Sequence, residues 1–271
     1  MNGWQRGVAA VTLLFTAFRS TSGQADTLRV RPLFTWRDAV LGGGFVIATL
    51  AIRPLDKRAE DVVQQPDRQK NRWLKKAAFG LRTIAAPGSV IIGVSMYATG
   101  RVSNNDHLAE LGLHGTEALF IGEGVGGVLK DFFGRARPFV DTAPNPDNWQ
   151  LMRGLTGDRF QSFPSGHSVA GFAAAAAVTA ETSGWWPNST SIIGPAMYGG
   201  AALVGLSRMY DNRHWASDVI MGAAIGTFAG MKVVRYVHAH PGNRVDKWLL
   251  NASVSPQDLG HVTISLVPLG R

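Results

Sequence analysis

Three short polar blocks stand in order along the second half of the chain. They are Lys130-x6-Arg137-Pro138, then Pro164-Ser165-Gly166-His167, then Ser207-Arg208-x5-His214-x3-Asp218. Together they supply three fixed cations, two histidines, one carboxylate and a glycine at what reads as a helix start. That set suits transfer of a phosphoryl group through a histidine nucleophile, with no metal required. Phosphoryl transfer asks a protein for positioning and for positive charge around the oxygens of the transferring group. Lys130 offers a point charge, while Arg137 and Arg208 offer planar forks that can hold two oxygens at once.

Ser165 reads as the N-cap of a helix that continues into the Ala-rich run 168–180. The free N–H groups and dipole of such a start favour an anion. Gly166 has no side chain, so the backbone there can approach a phosphate closely. His214 and Asp218 are four residues apart, a spacing that puts both on one face of a helix. Asp218 would accept a hydrogen bond from one ring nitrogen and leave the other lone pair free to attack. His167 would protonate the leaving oxygen and later activate water. Taken singly, the blocks have plainer readings as a helix end, a turn and a solvated helix face. Their complete and ordered conjunction favours the catalytic one.

The blocks resemble the three signature motifs of the type 2 phosphatidic acid phosphatase and vanadium haloperoxidase superfamily. Every fixed position is matched from Lys130 to Asp218, about a third of the chain. The resemblance implies an all-α core in which Lys130, Arg137, Ser165, Gly166 and Arg208 grip phosphate. It implies His214 as nucleophile, Asp218 as its partner and His167 as acid and base. It implies no metal and no cofactor, with vanadate able to stand in for phosphate. The substrate stays open, because lipid phosphatases, soluble acid phosphatases and halide oxidisers share these motifs.

The elements that must hold the blocks follow from the apolar pattern. Strand-like alternation is nearly absent, and six apolar segments recur at helical length: 38–52, 83–100, 108–130, 168–181, 192–207 and 216–237. The expected fold is an all-α six-helix bundle with the active site at one end. Lys130 and Ser207-Arg208 close their segments while His167 and His214 open theirs, so an up-and-down bundle brings all four ends together. The charged stretch 53–82 reads as a surface helix interrupted near Pro66. The long loop 139–163, between two blocks, is expected to cover the site. Residues 1–25 read as an export signal, 26–240 as the catalytic bundle and 241–271 as a polar tail with a short strand at 262–267.

The formal net charge is +8, which suits an anionic partner. No recognition motif accompanies it, so nucleic acid is not the expected partner. The chain has no cysteine, which excludes disulfides and thiolate metal sites. Glu110, His114 and Glu117 share one helical face and read as a buried polar seam rather than metal ligands. His238 and His240 read as solvated.

Placement is less direct. Mean hydropathy is only +0.03, and clean runs such as 39–52 fall short of the about 20 residues a span needs. Six segments nonetheless match the membrane phosphatases that the blocks resemble. The expectation is a membrane protein of the cell envelope with its site on the periplasmic side, the alternative being a soluble periplasmic enzyme. The motif end carries the larger share of Lys and Arg, and by the positive-inside rule that argues for the cytoplasmic side. The expected activity is metal-independent hydrolysis of a phosphomonoester or diphosphate, carried on a lipid. A non-specific acid phosphatase, a vanadate-dependent haloperoxidase and a non-catalytic anion-binding membrane protein are the alternatives.

Overall fold

The structure, a computed structural model, describes residues 32–250 together with two strands, 253–257 and 261–265. The leader-like segment 1–25 lies outside the described residues. The six apolar segments form six helices: α1 (Trp36–Ile52), α5 (Ser89–Val102), α6 (Asp106–Phe133), α7 (Gly166–Trp185), α8 (Thr190–Tyr210) and α9 (Ala216–Ala239). The expected count of six is too small. Among the described residues, α2 (Asp56–Val63), α3 (Pro66–Lys70), α4 (Arg72–Thr83) and α10 (Arg244–Leu250) are also helical. Pro66 does interrupt the charged stretch, by standing in the first turn of α3 where its missing N–H costs nothing.

Residues 241–271 are not simply a polar tail. After α10 come β1 (Ser253–Gln257) and β2 (His261–Ser265), which pair antiparallel. The end of α10 is tied to the bundle, because Tyr97 Oη donates to the Leu249 carbonyl at 2.9 Å.

The bundle is built from small residues inside and large apolar ones outside. Its core is made chiefly of Ala118, Ala170, Ala173, Ala177, Ala176 and Ala201, with Leu119, Phe172 and Tyr198 filling between them. Along α9, Gly222, Gly226 and Gly230 recur every fourth residue on the face against α7. A Cβ on Gly226 would lie 2.2 Å from the Val169 carbonyl oxygen, so only glycine allows this approach. Close contact through small residues is how helices associate where no water drives burial. The outer surface carries Ile47, Phe79, Ile91, Phe120, Val128 and Ile192, each more than half exposed.

Among the described residues, three continuous helical runs are long and apolar enough to cross a membrane: Trp36–Val63, Arg72–Val102 and Ala216–Ala239. Short apolar runs had argued against spans. In the structure α4 and α5 join into one run of 31 residues through a kink at Ala86–Pro87, so a charged half and an apolar half share one length. The runs and the apolar girdle fit a membrane better than water.

The packing makes a direct prediction. Gly226→Val is expected to cost about 1–3 kcal/mol by overpacking the α7–α9 contact. Gly43→Ala, with nothing within 4 Å of the added carbon, is expected to be tolerated. Thermal unfolding of the detergent-solubilised protein compares the two.

Candidate active site

The α6 helix ends where Gly134 takes a left-handed conformation, and its N–H closes the last turn on the Lys130 carbonyl at 3.1 Å. The chain then turns back with Arg135, Ala136 and Arg137 bound to the following loop. Arg137 N donates to the Arg159 carbonyl and Ser162 N to the Arg135 carbonyl. Ser165 caps α7: its Oγ accepts from Ser168 N at 3.4 Å and from Ser168 Oγ at 2.9 Å. The α8 helix delivers Arg208 in its last turn, and a short link carries His214 to the start of α9.

These elements enclose a cavity of about 450 Å³ at one end of the bundle. Lys130, Arg137, Gly166, His167, Arg208 and His214 all line it. Six of the eight residues singled out from sequence therefore converge on one space. The other two, Ser165 and Asp218, are fully buried behind its wall. Ser165 spends its hydroxyl on the α7 cap, and its N–H donates to the Asp218 carbonyl at 3.0 Å.

The His214–Asp218 pair departs from its expected geometry. His214 precedes α9 rather than sharing a helical face with Asp218, and its Nδ1 is 3.7 Å from the Asp218 carboxylate. The closer partner is the Ser162 carbonyl, 2.7 Å from Nδ1. A carbonyl only accepts, so Nδ1 carries the hydrogen and Nε2 keeps its lone pair. Arg137 Nη1 lies 3.3 Å from that Nε2.

Asp218 is instead the hub of a buried polar network. It accepts from Ser162 Oγ at 2.5 Å and from Trp215 N at 2.9 Å, and it is paired with Arg135. Arg135 also reaches Asp56, the first residue of α2, at 2.7 Å. All three charged side chains are fully buried. Ser217 closes the network by donating to Asp56 from both N and Oγ, at 2.8 and 2.5 Å.

The site also holds residues outside the three motif blocks. Asp158, from the loop 139–163, lines the cavity and pairs with Arg137 at 2.6 Å and Arg213 at 3.3 Å. Glu123, one face of α6 below Lys130, also lines it. The ends of both side chains crowd Gly166: a Cβ there would lie 2.6 Å from Lys130 Nζ and 3.1 Å from Glu123 Oε2. Glycine at 166 thus leaves room for the cation that would hold an anion, which any larger residue would push aside. Arg208 gives Nη1 to Asp211 at 2.8 Å, while its buried Nε has no partner. A buried donor left unpaired is costly unless a ligand satisfies it.

Burial pushes the His214 imidazole down to about 4, and the Arg137 and Arg208 charges act the same way against the pull of Asp218. The ring is therefore neutral across ordinary pH, as a nucleophile needs.

Residues 113–241 match the family model of the PAP2 superfamily. Over 77 residues the chain is 42% identical to a lipid A 1-phosphatase of Porphyromonas gingivalis. The alignment takes in 27% of this chain and 16% of that protein, so the chain spans about a sixth of the relative's length. In three dimensions the chain resembles a transmembrane PAP2-type phosphatidylglycerolphosphate phosphatase of Bacillus subtilis. The TM-score is 0.54 at 21% identity, covering 78% of this chain and 99% of that one. The helical bundle thus resembles a known fold, and the cavity lies within the matched residues except where Ala85, Ala86, Ser89 and Val90 wall one side.

Two measurements check this geometry. Ring-labelled histidine NMR, with His214→Asn to assign the signal, is expected to show His214 of the unliganded protein titrating near 4. A midpoint at the ordinary imidazole value would mean that the ring is not held as described. Asp56→Ala, which touches nothing in the cavity, is expected to cost about 3–5 kcal/mol by unbalancing a buried ion pair. It should also lower turnover. Asp147→Ala, which breaks only an exposed pair with Arg53, is expected to cost under about 1 kcal/mol. Chemical denaturation in mixed micelles separates the two.

Proposed function

We propose that the chain is a metal-independent phosphatase that hydrolyses a phosphomonoester or diphosphate carried on a lipid, through a phosphohistidine at His214. The observation that carries this reading is that Lys130, Arg137, Arg208, Gly166 and two imidazoles, His167 and His214, line one cavity. Both relatives named above are, by their names, lipid phosphatases.

In the proposed reaction the phosphoryl oxygens replace Asp158 on Arg137 and take up the unpaired Nε of Arg208. Lys130 and the N–H groups at the start of α7 hold the remaining oxygens. Burial and the surrounding cations hold His167 down to about 3 in the free protein, so it takes up a proton as the anionic substrate binds. The lone pair of His214 Nε2 then attacks phosphorus, and the bond to the leaving oxygen breaks as His167 gives that oxygen this proton. The ring, now bonded to phosphorus, is cationic. It keeps its Nδ1–H on the Ser162 carbonyl, with the Asp218 carboxylate 3.7 Å away to favour the charge. His167, now neutral, removes a proton from water as that water attacks phosphorus. The P–N bond breaks, and inorganic phosphate and the starting imidazole are restored.

A lipid substrate is favoured by the cavity's apolar lining. Besides the cations the cavity is lined by Ala85, Val90, Leu119 and Phe120, from the kinked α4–α5 run and from α6. Phe120 and the neighbouring Ile84 are largely exposed on the apolar girdle. A headgroup can thus sit among the cations while its chain leaves sideways between two helices. The placement of this end on the periplasmic side rests on the resemblance alone, against the Lys and Arg count.

The experiment is phosphate release from a panel of lipid and soluble phosphate esters by detergent-purified protein. Lipid esters are expected to be preferred, turnover at 25 °C to persist in EDTA, and vanadate to inhibit. His214→Ala is expected to lose at least about 10⁴-fold in kcat, as removal of a nucleophile does. Loss of turnover on chelation, or near-normal turnover by His214→Ala, would overturn the proposal.

A further inference from the structure

The opposite end of the bundle holds a second polar cluster that phosphate chemistry does not use. Glu181, near the end of α7, is 1% exposed and so almost wholly cut off from water. It binds two imidazoles at once: His114 Nδ1 lies 2.5 Å from Oε1, and His238 Nε2 lies 2.7 Å from Oε2. The rings belong to different helices, α6 and α9, and meet edge to face with centroids 5.9 Å apart. His238 is therefore not merely solvated, and the polar seam expected on α6 proves to extend across three helices.

A carboxylate oxygen only accepts, so each ring gives Glu181 one N–H, and in its neutral form each keeps one lone pair on the other nitrogen. Donation of the second ring N–H to a carboxylate is the arrangement that fixes a metal-binding histidine in its ligating form. Both rings line a pocket of about 330 Å³ together with Glu110 and Asp246 of α10. Two buried atoms in this pocket have no hydrogen-bond partner, His114 Nε2 and Asp246 Oδ1, while Asp246 Oδ2 accepts from Asn243 Nδ2 at 2.6 Å. His114 itself is 2% exposed and Asp246 9%. His114 Nε2 stands 3.6 Å from Asp246 Oδ2, too far for a hydrogen bond. Two ligands of one tetrahedral zinc ion, each with a bond of about 2.0–2.2 Å, stand about 3.4 Å apart.

We propose that this pocket binds one divalent transition-metal ion of the zinc type. His114 and His238 ligate it with their remaining ring nitrogens, Asp246 with its carboxylate, and Glu181 stands behind both rings. Water fills the open position. Mixed nitrogen and oxygen donors favour zinc over magnesium, which prefers oxygen alone. The ion ties α6, α7, α9 and α10 together at the end remote from His214. It clamps the bundle and takes no part in phosphoryl transfer.

The test uses the full chain, purified in detergent and stripped by chelation and dialysis, then exposed to Zn²⁺ or Mg²⁺. After desalting, about one zinc per chain is expected by elemental analysis, with a rise in Tm that Mg²⁺ does not give. Asp246→Asn and His238→Ala, the latter at a half-exposed side chain, should keep phosphatase turnover at 25 °C yet lose the bound zinc and the rise in Tm. Glu181→Gln should weaken zinc binding by about 10–100-fold. The proposal fails if the wild type retains no more zinc than these variants. It also fails if zinc raises Tm as much in His238→Ala as in the wild type. Turnover is read separately, so failure here leaves the phosphatase reading untouched, and the reverse holds.

Discussion

A single guanidinium sets the geometry of the site. Arg135 lies fully buried between Asp56 and Asp218 and stacks on the rings of Trp149 and Trp215, with centroid distances of 4.5 and 5.4 Å. A lone buried charge would be prohibitive. Here one cation is shared by two carboxylates, and the remaining carboxylate oxygens are taken up by serine and backbone donors. The consequence reaches His214. Asp218 is already committed to Arg135, Ser162 and Trp215, so it cannot also take the imidazole N–H at close range. That N–H turns to the carbonyl of Ser162, whose own hydroxyl is held by Asp218. The acidic residue therefore steers the imidazole through one intervening residue and keeps its charge near enough to matter only when the ring becomes cationic.

The same network explains why the charged stretch before α4 is not just a solvated surface. Asp56 opens α2 and is drawn into the base of the site, so the helices that follow α1 are anchored beside α9. From there the joined α4–α5 run kinks at Ala86 and leans over the cavity with an apolar wall. The two halves of the cavity therefore come from two kinds of sequence. The motif blocks supply cations and imidazoles, and a segment outside the blocks supplies the greasy side. The proposed chemistry rests on the first half and the proposed preference for a lipid on the second, which is why the motifs alone left the substrate open.

How much could be read from sequence follows the range of the interactions. The six long helices are periodic and local, and the motif-bearing ends share one side because successive helices alternate their direction. The convergence of Lys130, Arg137, Gly166, His167, Arg208 and His214 was legible because each sits at a helix end within a recognisable spacing. The Arg135–Asp56 pair was not. It joins residues 79 apart with no local pattern, and a charged residue in a polar loop gives no sign that it is buried. The true partner of His214 was equally hidden, because it is a backbone carbonyl 52 residues away. Spacing by four was a fair argument for a helical pair, but the chain between Tyr210 and Ala216 is a turn, so the helical rule did not apply.

His114, Glu110 and Glu117 show the limit from another side. Their shared helical face was visible, and the polar seam it suggests is present, yet periodicity on one helix says nothing of what the facing helices bring. Glu181 and His238 arrive from α7 and α9, and Asp246 from a segment that looked like tail. A carboxylate flanked by two imidazoles could be satisfied as a hydrogen-bonded triad alone. What distinguishes this cluster is the outer side of His114, where a buried nitrogen and a buried carboxylate oxygen face a common pocket unsatisfied. Desolvating both without a partner would cost about 1–3 kcal/mol each, a large fraction of a protein's net stability. A cation shared between them removes both costs at once, and it does so at the end of the bundle where no substrate is expected to reach.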